Sequence, residues 1–132
     1  MPSLAKLAEQ RGDKAGALAW LRRGYETSEG PASRVQWGVS YVEGLIRLNP
    51  GDKAAIRSAA AQVVGELSEQ PAGYRQRTRQ RLEGLGKALA QWSVKHDGVV
   101  VLNQLRSDTD KVCAKQADKA ASAACRGWLT SA

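Results

Sequence analysis

Two cysteines, one histidine and a run of arginines are the residues of this chain whose types invite chemistry. Cys113 and Cys125 lie twelve positions apart in CAKQADKAASAAC, which is not the C-x-x-C of a dithiol redox motif. With two cysteines and a single histidine, the side chains of a tetrahedral zinc site cannot be assembled, and no cofactor motif is present. The spacing suits a disulfide clipping two short helices, worth about 3 kcal/mol on the loop-entropy model. Such a bond goes with an oxidising compartment. Two reduced, partly buried thiols are the alternative. His96 sits beside Asp97 at the end of a helical pattern, where capping or plain exposure explains it. One histidine supports no Ser-His-Asp triad, and Asp108 and Asp110 read as charge at a helix start. These residues do not make an enzyme.

Arg75, Arg77, Arg79 and Arg81 crowd one helical stretch, and residues 71–96 hold six Lys or Arg against one Glu. At about 100° per residue the four arginines spread around half a helix rather than lining one stripe. Nucleic-acid helices concentrate their contacts on one face, so a solvated or partner-facing surface is the favoured reading and a basic nucleic-acid-binding domain the alternative. Gly84-Leu85-Gly86-Lys87 lies inside a helical pattern and lacks the rest of a phosphate loop.

The elements that position these residues are helical. The chain has 132 residues, 42% of them apolar, four prolines and no phenylalanine, which fits one domain with a real core. Its longest aliphatic run, Val99 to Leu102, is far short of the roughly 20 residues of a membrane span. The net charge of +7 favours acidic partners in general. Ser3 can cap a helix to Gln10 with Leu4 and Leu7 on one face, and Gly12-Asp13 stops it and starts the next. That next helix carries Ala17, Leu18, Leu21 and Tyr25. Pro31 opens a third helix with two apolar stripes, Val35-Val39-Val42-Ile46 and Trp37-Tyr41-Leu45-Leu48. A helix apolar on two sides belongs between neighbours.

Asn49-Pro50-Gly51-Asp52 is a turn ending in a cap. A fourth helix runs to about Glu69 and a fifth from Ala72 to Lys95, with Tyr74, Thr78, Leu82, Leu85, Leu89 and Trp92 on one face. After the Asp97-Gly98 turn, a short helix over residues 99–105, a second after Asp108 and a third over 117–128 complete the chain. The expected fold is all-α: a single domain over 1–132 of about five main antiparallel helices plus short C-terminal ones, its tail 97–132 clipped by the disulfide.

Gly12-Asp13-Lys14-Ala15-Gly16-Ala17 has the G-D-x-x-x-A form found between the two helices of a tetratricopeptide (TPR) unit. In that register Leu21 and Gly24 fall on a large and a small position, and LIRLNPGD (45–52) reads like the end of a TPR second helix. Any antiparallel helix pair with a tight turn is the alternative. The stretch RGDKAGALAWLRRGYETSEGPASRVQWGVSYVEGLIRLNPGD resembles the helical region that follows the thioredoxin domain in bacterial thiol:disulfide-interchange proteins. Tyr74, Arg77, Arg79, Arg81, Leu82, Glu83 and Leu85 match its next helix, and such tails also end in a cysteine pair.

The family's catalytic C-x-x-C and βαβ scaffold are absent, so no redox role passes to any residue here. The resemblance implies a non-catalytic, TPR-like interaction domain attached to a periplasmic thioredoxin-like protein, with the abrupt Met-Pro-Ser start read as an excision from a longer chain. The implied partners are that thioredoxin-like domain and client proteins. Trp37 and Tyr41, one turn apart, either fill the groove against the preceding helix or line a client-binding concavity. With Arg75, Arg77, Arg79 and Arg81 they are the candidate partner-binding residues. A thiol enzyme using Cys113 or Cys125 ranks last.

Overall fold

The computed structural model describes residues 2–66 and 76–114, and among them every regular element is a helix. In order these are α1 (Pro2–Gln10), α2 (Lys14–Thr27), α3 (Pro31–Leu48), α4 (Lys53–Glu66), α5 (Gln76–Lys95) and α6 (Val99–Cys113). The caps follow from local chemistry. The Asp13 carboxylate accepts from the Gly16 N–H at 2.9 Å, and Asp52 accepts from Ala55 at 3.1 Å. Each satisfies an amide that the first turn leaves without a partner. Gly30, with φ +85°, turns the chain into Pro31 at the start of α3, a backbone conformation that favours glycine.

Three details differ from the sequence expectation. α1 begins at Pro2, so Ser3 lies inside it rather than capping it. Leu7 is half exposed while Ala8 is buried; the α1 seam runs through the small residue. The largest difference lies past Gly98, where the described chain forms one fifteen-residue helix, α6, instead of two short ones. Leu105, Thr109 and Cys113 are all buried at four-residue spacing, so the packed stripe carries straight through Asp108 and Asp110. Those two acids therefore sit in the second half of a helix, not at a helix start.

α3 is central, packing against α2, α4 and α5, while α4 also packs on α6. Val35, Val39, Val42 and Leu45 of α3 join Ile56, Ala60 and Val63 of α4, Leu82, Leu85, Leu89 and Trp92 of α5, and Leu102 and Leu105 of α6 in one cluster. Ala17, Leu21 and Tyr25 of α2 are buried in a smaller seam with α1 and α3. Short connections at 11–13, 28–30, 49–52 and 96–98 make the consecutive helices antiparallel.

Three glycines allow the close approach. A Cβ on Gly24 would collide with the Trp37 ring, one on Gly38 would lie 2.7 Å from Val63 Cγ2, and one on Gly44 would lie 2.5 Å from Leu21 Cδ1. No described helix is long and apolar enough to cross a membrane. Val39 is 1% exposed, and an unpaired carboxylate there has no route to water. Val39→Asp is expected to cost at least about 3 kcal/mol and lower the melting temperature by more than about 10 °C by circular dichroism. An unchanged melt would remove α3 from the centre of the core.

Candidate functional site: a groove across α2, α3 and α4

Tyr41 sits in the middle of α3, half-buried, and looks into a groove between α2 and α4. Arg22, Tyr25 and Glu26 of α2 form one wall. Ala55, Ser58, Ala59 and Gln62 of α4 form the other, around a volume of about 260 Å³. The α4 wall is low because its residues at i, i+3, i+4 and i+7 are small up to Gln62. Past Tyr25 the groove continues between Arg34, Gln62, Gly65 and Glu66 through a further space of about 360 Å³. Tyr25, Glu26 and Gln62 border both stretches.

One polar cluster organises the far end. Arg34 Nε donates to Glu66 Oε1 at 2.8 Å, and the Tyr25 hydroxyl donates to the same oxygen at 3.2 Å. The Arg34 guanidinium also stacks over the Tyr25 ring, 5.0 Å from its centroid, and donates to the Ser28 carbonyl at 3.2 Å. Burial first, and then the Glu66 charge, push the Tyr25 hydroxyl up to about 12, against the opposing pull of Arg34. Tyr25 is therefore neutral and a hydrogen-bond donor at ordinary pH. Nearer the mouth, Arg22 pairs with Glu26 at 3.1 Å across one exposed turn. Arginine and carboxylate are matched within the groove, so it has little net charge of its own.

The sequence candidates divide here. Trp37 and Tyr41 share a stripe, but only Tyr41 lines the groove. The Trp37 ring covers Gly24 of α2 and serves helix packing. Arg81 is exposed on α5, on a different helix from either groove wall, and it faces Glu43 of α3. Arg77 and Arg79 fall in the first turn of α5, while Arg75 and Cys125 lie outside the described residues. Cys113 ends α6 fully buried and is not a free thiol. His96 is exposed, away from the groove. Among the described residues, no group of three His, Cys, Asp or Glu side chains could hold a metal ion.

Arg22, Tyr25, Gln62 and the small face of α4 were not legible as a site. Tyr25 lies on the apolar stripe of its helix, and Ala55, Ser58, Ala59 and Gln62 carry no signal in the sequence of their own. A second space of about 380 Å³ lies between α1 and α2, lined by Leu4, Trp20, Arg23, Gly24 and Thr27.

The Tyr25 shift gives alkaline pH a definite effect. The folded state holds the proton up to about pH 12, whereas an unfolded tyrosine loses it near about pH 10. This contribution to stability is thus complete below pH 10 and declines as pH rises through that interval. Glu66→Gln removes the charge but not the burial, so the Tyr25 midpoint should fall part of the way toward the ordinary value. Tyrosinate absorbance, assigned with Tyr25→Phe, reads this directly; an unmoved midpoint would mean that Glu66 does not govern the hydroxyl. No family model, no curated protein and no solved structure matches this chain, so the meaning of the groove rests on its own geometry.

Proposed function

We propose that the chain is a non-catalytic protein-interaction domain, a TPR-like stack of antiparallel helix pairs that offers the α2–α3–α4 groove to a partner. The observation that carries the reading is that groove: an open channel floored by Tyr41 and walled by small α4 residues. Extended peptides and helices dock in such channels through shape and a few directed hydrogen bonds. The stack is supported by its contacts, because α3 touches α5 and α4 touches α6 as well as their immediate neighbours. Repeated helix pairs make that pattern.

A non-catalytic role is supported by the groove's titratable groups. Glu26 and Glu66 are each engaged by an arginine, and Tyr25 holds its proton. The same matched charges argue against a nucleic-acid site in this channel, where uncompensated cations would be needed.

The partner we assign is a thioredoxin-like domain or a client that such a domain handles, in an extracytoplasmic compartment. The support is the resemblance of residues 11–52 to the helical region of thiol:disulfide-interchange proteins. The cysteines fit it. Cys113 is buried and not free, and the chain's second cysteine is Cys125, so a structural Cys113–Cys125 bond follows as part of the proposal. Alkylation and intact-mass analysis without reductant should find no free thiol, and reduction should cost about 3 kcal/mol. Two free thiols in oxidised protein would defeat the bond.

The groove itself is tested with an isotopically labelled chain titrated with a bacterial periplasmic thioredoxin-like domain. Amide shifts should collect at Tyr41, Ser58 and Gln62. Ser58→Arg, an exposed position, should weaken binding about tenfold without changing the melt. Absence of binding, or shifts confined elsewhere, would overturn the reading.

A further inference from the structure

α1 and α2 enclose a space that the groove does not use. It holds about 380 Å³ and is lined by Leu4 of α1 and by Trp20, Arg23, Gly24 and Thr27 of α2, a volume in the range of small-ligand pockets. None of these residues borders the groove. The α2 residues recur at three- and four-residue spacing, which sets them along one side of the helix. Leu4 and Trp20 are half-buried, so each helix gives the space an apolar wall that still meets solvent. Gly24 contributes bare backbone, because a Cβ there would collide with the Trp37 ring.

The cation of this lining is Arg23. Its guanidinium lies over the Trp20 ring, 5.8 Å from the centroid, within cation–π reach. A guanidinium held over a ring presents its flat face to it, and its N–H donors, which lie in its plane, stay available at the edge. Arg23 makes no ion pair with any described residue. The carboxylates of α1 and α2 are placed elsewhere. Glu9 is bonded to Arg47 of α3, Asp13 caps the opposite end of α2, and Glu26 pairs with Arg22 and borders the groove. No carboxylate, Glu29 included, is among the described residues that line the space. Thr27 gives its hydroxyl proton to the Arg23 carbonyl at 2.8 Å. The side-chain donors left in the lining are therefore the Arg23 guanidinium and the Trp20 indole N–H.

We infer that this space is a binding site for a small carboxylic acid with an apolar body. The body lies against Leu4, Trp20 and the bare backbone of Gly24, and the carboxylate meets the edge of Arg23. Donors without a facing carboxylate select an anion, and the apolar walls select what the anion is attached to. A nucleic acid would need a row of cations, and this lining offers one. An extended peptide would overrun the space, which covers two turns of α2, about 10 Å, against one residue of α1. The site goes beyond the proposed docking role and does not rest on it, since the two spaces share no residue.

The test titrates the full, isotopically labelled chain with hydrocinnamate, a phenyl ring on a short carboxylate arm. Its controls are hydrocinnamamide, which keeps the shape without the charge, propionate, which keeps the charge without the ring, and a short peptide ending in phenylalanine. Hydrocinnamate should bind with a dissociation constant of about 0.1 to 1 mM, at least about tenfold more tightly than the amide or propionate. Shifts should collect at the Trp20 indole N–H and at the amides of Arg23 and Gly24. Arg23 is exposed, so Arg23→Gln should leave the melt unchanged while weakening the acid about tenfold, to the level of the amide. Arg23→Lys keeps the charge without the fork and should lose about threefold.

Equal binding of acid and amide would overturn the inference, because Arg23 would then select nothing. So would shifts that collect at Tyr41 or Gln62, tighter binding of the peptide than of the free acid, or no binding at about 10 mM acid. The acid is read at Trp20 and Gly24, and the thioredoxin-like domain at Tyr41, Ser58 and Gln62, so either reading can fail while the other stands.

Discussion

The distance between α3 and its neighbours is the constraint on which the rest of the structure depends. α3 is apolar over more than half its circumference, with Val35, Val39, Val42 and Leu45 all buried, so it must be covered on several sides to satisfy the hydrophobic effect. Covering it requires close approach on each. Gly38 admits Val63 of α4 on one side, Gly44 admits Leu21 of α2 on another, and Gly24 of α2 receives the Trp37 ring. Ridges seat in grooves only if the groove residue is small. A methyl at any of these positions would force the facing side chain to shift, and packed interiors leave little free volume to absorb it. The antiparallel order of α2, α3 and α4, and the groove they frame, follow from that spacing.

The polar contacts serve the same helix. Arg34 near the start of α3 reaches Glu66 on α4, and Arg47 near its end makes paired bonds of 2.6 and 3.0 Å to Glu9 on α1. Just beyond it, the Pro50 carbonyl accepts from Trp92 of α5. Three ties therefore fix both ends of α3 against three different helices. The exposed Arg47–Glu9 pair contributes little stability, as such surface pairs do; it sets orientation. The Arg34–Glu66–Tyr25 cluster is more enclosed, and its geometry matters more. A carboxylate there without Arg34 would be poorly solvated, and the hydroxyl of a buried tyrosine needs a partner.

Much of this could be read from residue types. The Asp13 and Asp52 caps, the proline start of α3, the 49–52 turn and the central placing of α3 all follow from local chemistry and periodicity. What failed to show had physical reasons. Asp108 and Asp110 imitate a helix start, but tertiary burial of Leu105, Thr109 and Cys113 carries one helix past them, and Thr109 Oγ donates to the Leu105 carbonyl at 2.7 Å. Trp37 and Tyr41 look alike in α3's own pattern. The division between them is decided by what faces them, Gly24 opposite one and the small α4 wall opposite the other, and a helix's periodicity carries no information about its neighbour.

The groove's charges are committed to one another, and this bears on what it can recognise under the proposed reading. In the groove, arginines are already committed to glutamates, so a ligand that brought its own carboxylate would have to displace one. Under the proposed reading, recognition there comes from fit against Tyr41 and the low α4 wall, and from hydrogen bonds to Gln62 and Ser58. Along α5 one glutamate stands against Arg77, Arg79, Arg81, Lys87 and Lys95, and Arg81 faces Glu43 of α3. Under the proposed reading, long-range attraction contributes little to encounter at the groove, which makes docking there insensitive to salt.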